Sequence, residues 1–509
     1  MRNAHAVAGV RAAESALMAL LPDGALMQRA AAGLAATCAG LLRREGRDNR
    51  AGRPGRAGGV YGSRVAVLVG SGDNGGDALY AGARLAGRGA VVTAIAAAGR
   101  VHQGGAAALH GSGGWLIDAP GRAADEAIAA ADLIIDGLLG IGGRGSLREP
   151  AAALAAAAGR ARALVVAVDL PSGIDADTGE AAGAAVCADV TVTFGTLKPG
   201  LLIDPGASHA GVVECADIGL GGYLGPPDVA APQAADIADW LPRPSAESDK
   251  YRRGVLGIVA GSDRFTGAPT LAVGGAIRGG AGMVRLLSSA VPVAVVRQHW
   301  PEAVITTLDA GLEGGVAVEA AGQVQAWVAG PGMGTDEVAA GLLTAVLATS
   351  LPVLVDADGI TLLAAHRGLL PRPAPTLLTP HAGELARLLG ADRADVEAHR
   401  LRFATRAAAE LGCTVLLKGS TTVIAPPAPG QEVLVNPTGT SWLATAGSGD
   451  VLSGLAGSLL AQGLDPLRAA AAAAYLHGIA GRLAAEGAPI GASDIITALP
   501  AAIRTVAGA

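Results

Sequence analysis

Short, uniformly apolar runs recur along the chain, separated by Ala-rich stretches of helical length. A strand that is apolar at every position is one covered on both faces, as in a parallel sheet whose crossovers are helices. In the first half the clearest runs are 65–69, 91–96, 133–135, 164–168 and 190–194. In the second half they are 255–259, 326–329, 353–355 and 414–417, with helices fitting 450–462 and 467–483. The pattern predicts an α/β protein built from βαβ units. Two stretches interrupt it. Residues 43–64 are Gly/Arg-rich and read as a surface loop, and 219–248, rich in Gly, Pro, Asp and Ala, read as a boundary. The expected organisation is a domain over 1–220, a linker over 221–248 and a second domain over 249–509.

Composition narrows this picture. Of 509 residues 51% are hydrophobic but only 3% aromatic, so the core must be made of Ala, Val, Leu and Ile. The net charge of −6, with no basic stripe, excludes a nucleic-acid footprint. The apolar stretches are Ala/Gly-rich and broken by charge, so no membrane span is expected. Arg2, His5, Arg11 and Glu14 interrupt any signal-peptide core. The four cysteines form no CxxC pair; reduced thiols and a cytoplasmic location are the expectation.

The first candidate chemistry follows run 65–69, which leads into Gly70-Ser71-Gly72-Asp73-Asn74-Gly75-Gly76-Asp77. Gly70, Gly72 and Gly75 satisfy the GxGxxG spacing, which alone reads as a dinucleotide turn. However, run 91–96 ends in alanine, with no acid for a ribose hydroxyl, and Asp73 and Asp77 would repel a pyrophosphate unless a cation intervened. A plain strand–helix turn capped by Asp77 is the alternative. Asp136 ends a second strand before the loop Gly140, Ile141, Gly142, Gly143, Arg144, Gly145 and Ser146. Asp169 ends a third, before Leu170-Pro171-Ser172-Gly173. In an open parallel sheet such strand ends converge on one crevice. Asn74, Asp136 and Ser172 would there be oxygen ligands for a hard cation, although singly each acid is an ordinary cap or turn residue.

Together with residues 10–14, 26–31 and the DADTG of 175–179, these motifs resemble the NAD(P)H-hydrate epimerase family over roughly residues 10–220. The resemblance implies a Rossmann-like three-layer domain that interconverts the R and S hydrates of NADH and NADPH and binds K⁺. It implies that Asp73, Asn74, Gly75, Gly76 and Asp77, together with Gly140, Ile141, Gly142, Gly143, Arg144, Gly145 and Ser146, line the substrate. Asp169 would contact the substrate and handle its proton, while Asn74, Asp136 and Ser172 would hold K⁺. Asp73 stands where the family usually has Asn, and Ala78 where it has Gly.

The second candidate site is Gly447-Ser448-Gly449-Asp450, ahead of helix 450–462. Amides at a helix N-terminus stabilise phosphate oxygens, and Asp450 sits where a carboxylate takes a proton from a hydroxyl approaching a phosphate. Alone, the tetrapeptide serves equally as a helix cap; it looks like the anion hole of the ribokinase-like fold. In order along the chain stand YRRGVLGIVAGSDRFTGAP (251–269), GPGMG (330–334), VDADG (355–359), TPHAGE (379–384), KGSTT (418–422) and GSGD. The set resembles the ADP- or ATP-dependent NAD(P)H-hydrate dehydratase family over roughly 249–505. That implies nucleotide contacts from Lys418, Gly419, Ser420, Thr421, Thr422 and Gly449, and hydrate contacts from Ala268, Gly332, His381 and Asp450. ADP or ATP with Mg²⁺ would be the co-substrate. Thr361 stands where the family often has Asn.

The substrate so implied is a hemiaminal, whose hydroxide leaves poorly. Phosphorylating the hydroxyl makes a better leaving group, with Asp450 as the base. The competing readings are a ribokinase-like kinase of a small alcohol with a regulatory N-terminal domain, and a metabolite-binding regulatory protein. Expected partners are small molecules, the hydrates and ADP, without nucleic acid or membrane; oligomeric state is open, a homo-oligomer included.

Overall fold

The computed structural model describes residues 1–48, 59–143, 145–308 and 313–508. They form two compact units, Asn3–Asp228 and Val229–Ala509, the latter with Met1–Arg2. Short β1 (Arg2–Ala4) opens the chain.

The first unit holds β2 (Arg64–Val69), β3 (Val91–Ala96), β4 (Trp115–Asp118), β5 (Leu133–Gly137), β6 (Leu164–Val168), β7 (Val190–Phe194) and β8 (Val212–Ala216). They make a parallel sheet in the order β4-β3-β2-β5-β6-β7-β8. The chain winds outward from β2 to β4, then returns to lay β5 on the other side of β2. That reversal opens a crevice at the carboxyl ends of β2 and β5, the Rossmann arrangement. Strand alternation feeds two cores: Val65, Val67 and Val69 face one layer, Ala66 and Leu68 the other. Helices Val7–Met18, Ala25–Asp48, Asp73–Ala86 and Gln103–Gly111 cover the first face, Arg122–Ala129 and Ala151–Arg160 the second.

Two expectations need correction here. Residues 43–48 continue helix Ala25–Asp48 instead of opening a loop, because Leu42 and the positions before it already bind the helix to the core. The centre of that expected loop, 49–58, lies outside the described residues. The same helix contains a stretch, Ala25–Arg44, long and apolar enough to cross a membrane. Its Ala30, Leu34, Ala35, Cys38, Ala39 and Leu42 instead recur at helical spacing and pack into the sheet.

The second unit holds β9 (Val229–Ala231), β10 (Val255–Val259), β11 (Met283–Ser288), β12 (Val304–Thr307), β13 (Ala326–Ala329), β14 (Val353–Val355), β15 (Thr376–Leu378), β16 (Thr414–Leu417), β17 (Thr422–Ala425) and β18 (Val433–Asn436). From β9 the sheet runs β9-β18-β17-β16-β15-β14-β13-β10-β11-β12, parallel except where β17 lies antiparallel to both neighbours. The segment expected as a linker is thus largely structured. Val229, Ala230 and Ala231 are buried, β9 pairs with β18, and helix Ala234–Trp240 inserts Ile237 into the core. Leu256, Ile258, Val328 and Leu354 meet helices Ala268–Arg278, Ser448–Ala461, Pro466–Ala485 and Ala492–Ala507. Where Ala268–Arg278 and Ser448–Ala461 cross, a Cβ on Gly454 would overlap the Ala272 carbonyl. The glycine lets the two backbones touch, and this seats the N-terminus of Ser448–Ala461 beside Ala268–Arg278.

Candidate active sites

The first site is built at the switch between β2 and β5. The Gly70 N–H donates to the Gly137 carbonyl at 3.0 Å, and a Cβ at residue 70 would overlap the Leu138 carbonyl. Helix Asp73–Ala86 starts at once, with Gly72 at its N-cap and no side-chain cap. Asp73, Asn74, Gly75, Gly76 and Asp77 are therefore the first turns of a helix, and Asp77 is not its cap. A cavity of about 790 Å³ opens over them, lined by Asp73, Asn74 and Asp77, by Gly140, Ile141, Gly142 and Gly143, and by Asp169. Gly75 packs on the Gly70 backbone, and Gly76 on the side chains of His102 and Met27, which themselves line the cavity; neither glycine is part of the lining. Gly145 and Ser146 do not line it; the Ser146 hydroxyl donates to Leu147 O at 3.2 Å. Arg144 lies outside the described residues. Ala78 is wholly buried against Gly137, whereas Asp73 faces the cavity.

Asp136 and Ser172 lie behind the lining. Asp136 is fully buried and accepts the Ser172 hydroxyl at 2.7 Å, the Ser172 N–H at 2.8 Å and the Leu138 N–H at 3.3 Å. Burial still pushes its carboxyl up to about 6, against those hydrogen bonds. Ser172 also bonds the Leu139 carbonyl at 3.1 Å, and Asn74 sits beside Gly140 with its amide nitrogen buried and unpartnered.

Acids crowd the cavity. Burial first, then the charges of Asp169, Asp73 and Glu14, lift Asp77 well above the usual carboxylate range, and its Oδ1 has no hydrogen-bond partner among the described residues. Glu14 is lifted as well, chiefly by burial, with Lys198 and Arg11 opposing. Tyr80 and His102 of this lining, and Lys198 beside Asp169, belong to no motif singled out from the sequence, whereas Arg11 and Glu14 fall in the stretch 10–14 that carries the resemblance. His102 caps helix Gln103–Gly111, accepting the Gly105 N–H at 3.0 Å.

In the second unit, Gly447 (φ 86) turns the chain into helix Ser448–Ala461, placing Asp450 in its first turn. Asp356 at the end of β14 accepts Lys418 at 2.7 Å and the Ser453 hydroxyl at 2.6 Å. Glu384 lies 3.9 Å from Lys418. A Cβ on Gly449 would stand 3.4 Å from Lys418 Nζ, so the ammonium lies under the glycine turn. Lys418 thus points inward, to the acids. Burial opposes its charge, but Asp356, Glu384 and Asp450 raise its pKa above the ordinary lysine range. Burial, with Asp356, Asp358 and Glu384 adding and Lys418 opposing, pushes Asp450 up to about 7.

The remaining expected residues gather nearby. His381 caps helix Ala382–Leu389: Nδ1 accepts the Gly383 and Glu384 N–H groups at 3.0 and 3.2 Å, while the His381 backbone N–H donates to the Glu384 carboxylate at 2.7 Å. Its pKa is lowered, by burial first. Gly332 (φ 59) packs on Ala268, and Gly447 on Leu271, one turn further along the same helix. Gly419, Ser420 and Thr421 turn between β16 and β17, and Thr422 pairs with Asn436. Arg482 holds the next stretch through Thr438 O at 2.6 Å and Gly439 O at 2.9 Å. Unforeseen from the sequence is His477, buried on helix Pro466–Ala485, with Nε2 3.0 Å from the Ser448 carbonyl.

A parallel sheet with an acidic crevice at its switch point, followed in the same chain by a second sheet with a carboxylate among helix-terminal glycines, defines a two-site α/β enzyme. Comparison with known proteins narrows the class. The family model described as YjeF-related protein N-terminus matches residues 23–200, and that described as NAD(P)H-hydrate dehydratase matches 256–501. The bifunctional NAD(P)H-hydrate repair enzyme Nnr of Mycobacterium tuberculosis is 49% identical over 473 residues, 92% of each chain. That of Mycobacterium leprae is 46% identical over 499 residues, 98% of this chain and 97% of the relative. A solved ribokinase-like superfamily protein of Enterococcus faecalis superposes with a TM-score of 0.50 at 25% identity, covering 55% of this chain and 98% of that one. The chain belongs to the bifunctional NAD(P)H-hydrate repair enzyme family.

Proposed function

We propose that the protein repairs hydrated NADH and NADPH, the first unit interconverting R and S hydrates and the second dehydrating the S hydrate with ADP or ATP as phosphoryl donor. The observation that carries it is Asp450: a carboxylate at a glycine-rich helix terminus, buried enough to titrate at about 7. A group so poised accepts a hydroxyl proton at physiological pH. Asp450 takes the proton of the ring hydroxyl as its oxygen attacks the terminal phosphoryl group. The amides of Gly447 to Gly449 and the Lys418 ammonium beneath them stabilise the transferred charge. The ring nitrogen's lone pair then expels phosphate, and loss of a proton from the neighbouring carbon restores the double bond. Ala268, Gly332 and His381 are assigned to the hydrate side, and the turn Lys418 to Thr422 with Gly449 to the nucleotide.

For K⁺, the residues of the first unit fit. The donors are oxygens: the Asp136 carboxylate, the Ser172 hydroxyl, the Leu139 carbonyl and the Asn74 amide. The buried, uncompensated charge of Asp136 is what a monovalent cation would offset. For Mg²⁺ no cage exists: among the described residues no group of three or more His, Cys, Asp or Glu is placed to hold a metal. Mg²⁺ would enter with the nucleotide phosphates, neutralising their charge.

The test supplies purified R and S hydrates with ADP or ATP and follows dihydronicotinamide absorbance together with phosphate release. Recovery of both hydrates with stoichiometric inorganic phosphate is expected. A stable phosphorylated alcohol would instead make the protein a kinase.

A further inference from the structure

The Lys198 side chain is 1% exposed, yet it lies outside every motif that marks the first site. Its ammonium contacts Asp169 Oδ1, Thr193 Oγ1 at 2.9 Å and the Phe194 carbonyl at 3.2 Å. Asp169 Oδ1 also receives the Thr193 hydroxyl at 2.9 Å and the Phe194 N–H at 3.3 Å. All three donors therefore converge on one carboxylate oxygen. Oδ2 receives none among the described residues, and Asp169 lines the cavity. The backbone reinforces this aim. Asp169 has φ 66, a left-handed conformation uncommon for a residue with a side chain, held by its N–H on the Val192 carbonyl at 2.8 Å.

We propose that Lys198 is a positioning residue for epimerisation, anchoring Asp169 by Oδ1 so that Oδ2 is aimed at the hydrate's ring hydroxyl and acts as the base on it. This rests on the epimerase function proposed above. Oδ2 takes the hydroxyl proton, the C–O bond becomes a carbonyl, and the adjoining ring C–N bond breaks with its pair on nitrogen. The proton is relayed from Oδ2 through cavity water to that nitrogen. Closure on the other face of the carbonyl returns it by the same route, so nothing is consumed and only the configuration at that carbon changes. The need for a fixed cation is plain from the surroundings. Asp169 is faced by Glu14 from helix Val7–Met18, by Asp77 from helix Asp73–Ala86 and by Lys198 from the turn after β7, while Arg11 acts on Glu14 and Asp73 on both Glu14 and Asp77. Among the described residues acids outnumber cations there, and Lys198 is the cation in contact with the carboxylate.

The experiment measures kcat and KM for R-to-S conversion in the full chain. Lys198→Met keeps the length of the side chain and removes its charge. At neutral pH kcat is expected to fall by roughly 30-fold or more while KM stays within about threefold. Lys198→Arg retains the charge and a donor for Oδ1 and should recover most of the lost kcat. Should Lys198→Met not fold, as judged by near-ultraviolet circular dichroism, the neutral pair Lys198→Met/Asp169→Asn is compared with Asp169→Asn alone. Equal rates support action through the aspartate, and a further loss overturns it. A native chain that does not accelerate epimerisation would refute the epimerase function itself. A native chain that does, with Lys198→Met unchanged in kcat, would overturn the role of Lys198 alone.

Discussion

Two carboxylates carry the proposed chemistry, and their settings differ. Asp450 is buried among other acids, with Lys418 as the opposing cation, and is pushed up to about 7. Asp169 is clamped by a lysine at one oxygen. Since a base works only when ionised, dehydration at saturating nucleotide should rise with pH through about 7 and level off above it. Asp450→Asn should lower kcat by about 10²–10⁴-fold, the usual worth of a general base. Initial rates of phosphate release across pH check both. Asp169 and Asp450 could be singled out from the sequence because each stands where an apolar run meets a glycine or proline turn, a local pattern. Lys198 and His477 could not. A lysine between Leu197 and Pro199-Gly200 looks like a turn residue in water, and only the β6–β7 pairing, which sets Val168 beside Val192, brings it to Asp169.

Helix Pro466–Ala485 shows what one element adds to a site on another. Its His477 meets the Ser448 carbonyl, and burial lowers the imidazole to about 4, so the ring is neutral at physiological pH. The unfolded chain binds this proton near the ordinary 6.5 and the folded chain only near 4. Stability is therefore fully present above 6.5 and falls as pH drops toward 4, by about 3 kcal/mol at the acid end. His477→Gln should flatten this part of the stability–pH curve, as read by urea unfolding between pH 4 and 7. Among strands, continuous apolar runs such as Leu164–Val168 and Val255–Val259 were legible because burial on both faces leaves no polar position. Others were not, for physical reasons. β4 exposes Trp115 and Leu116 at a sheet edge, and β11 carries Arg285, whose guanidinium reaches the Ala321 carbonyl at 2.7 Å.

At the scale of the molecule, two compact units with separate cores imply separable activities. Asp450→Asn should still equilibrate R and S hydrates. Asp169→Asn should consume S and leave R to its slow uncatalysed epimerisation; chiral chromatography of the residual hydrate tells them apart. The boundary between units falls at Asp228 and Val229 rather than across a linker to residue 248. Composition hid this, because Val229-Ala230-Ala231 becomes a strand only by pairing with β18, far away in sequence. The central claim is that phosphate, not hydroxide, leaves the damaged ring. Hydrate bearing ¹⁸O in its ring hydroxyl, turned over briefly with unlabelled ADP or ATP, tests it by mass spectrometry of the released phosphate. One ¹⁸O per phosphate is expected; unlabelled phosphate, with the isotope found in water, would contradict it.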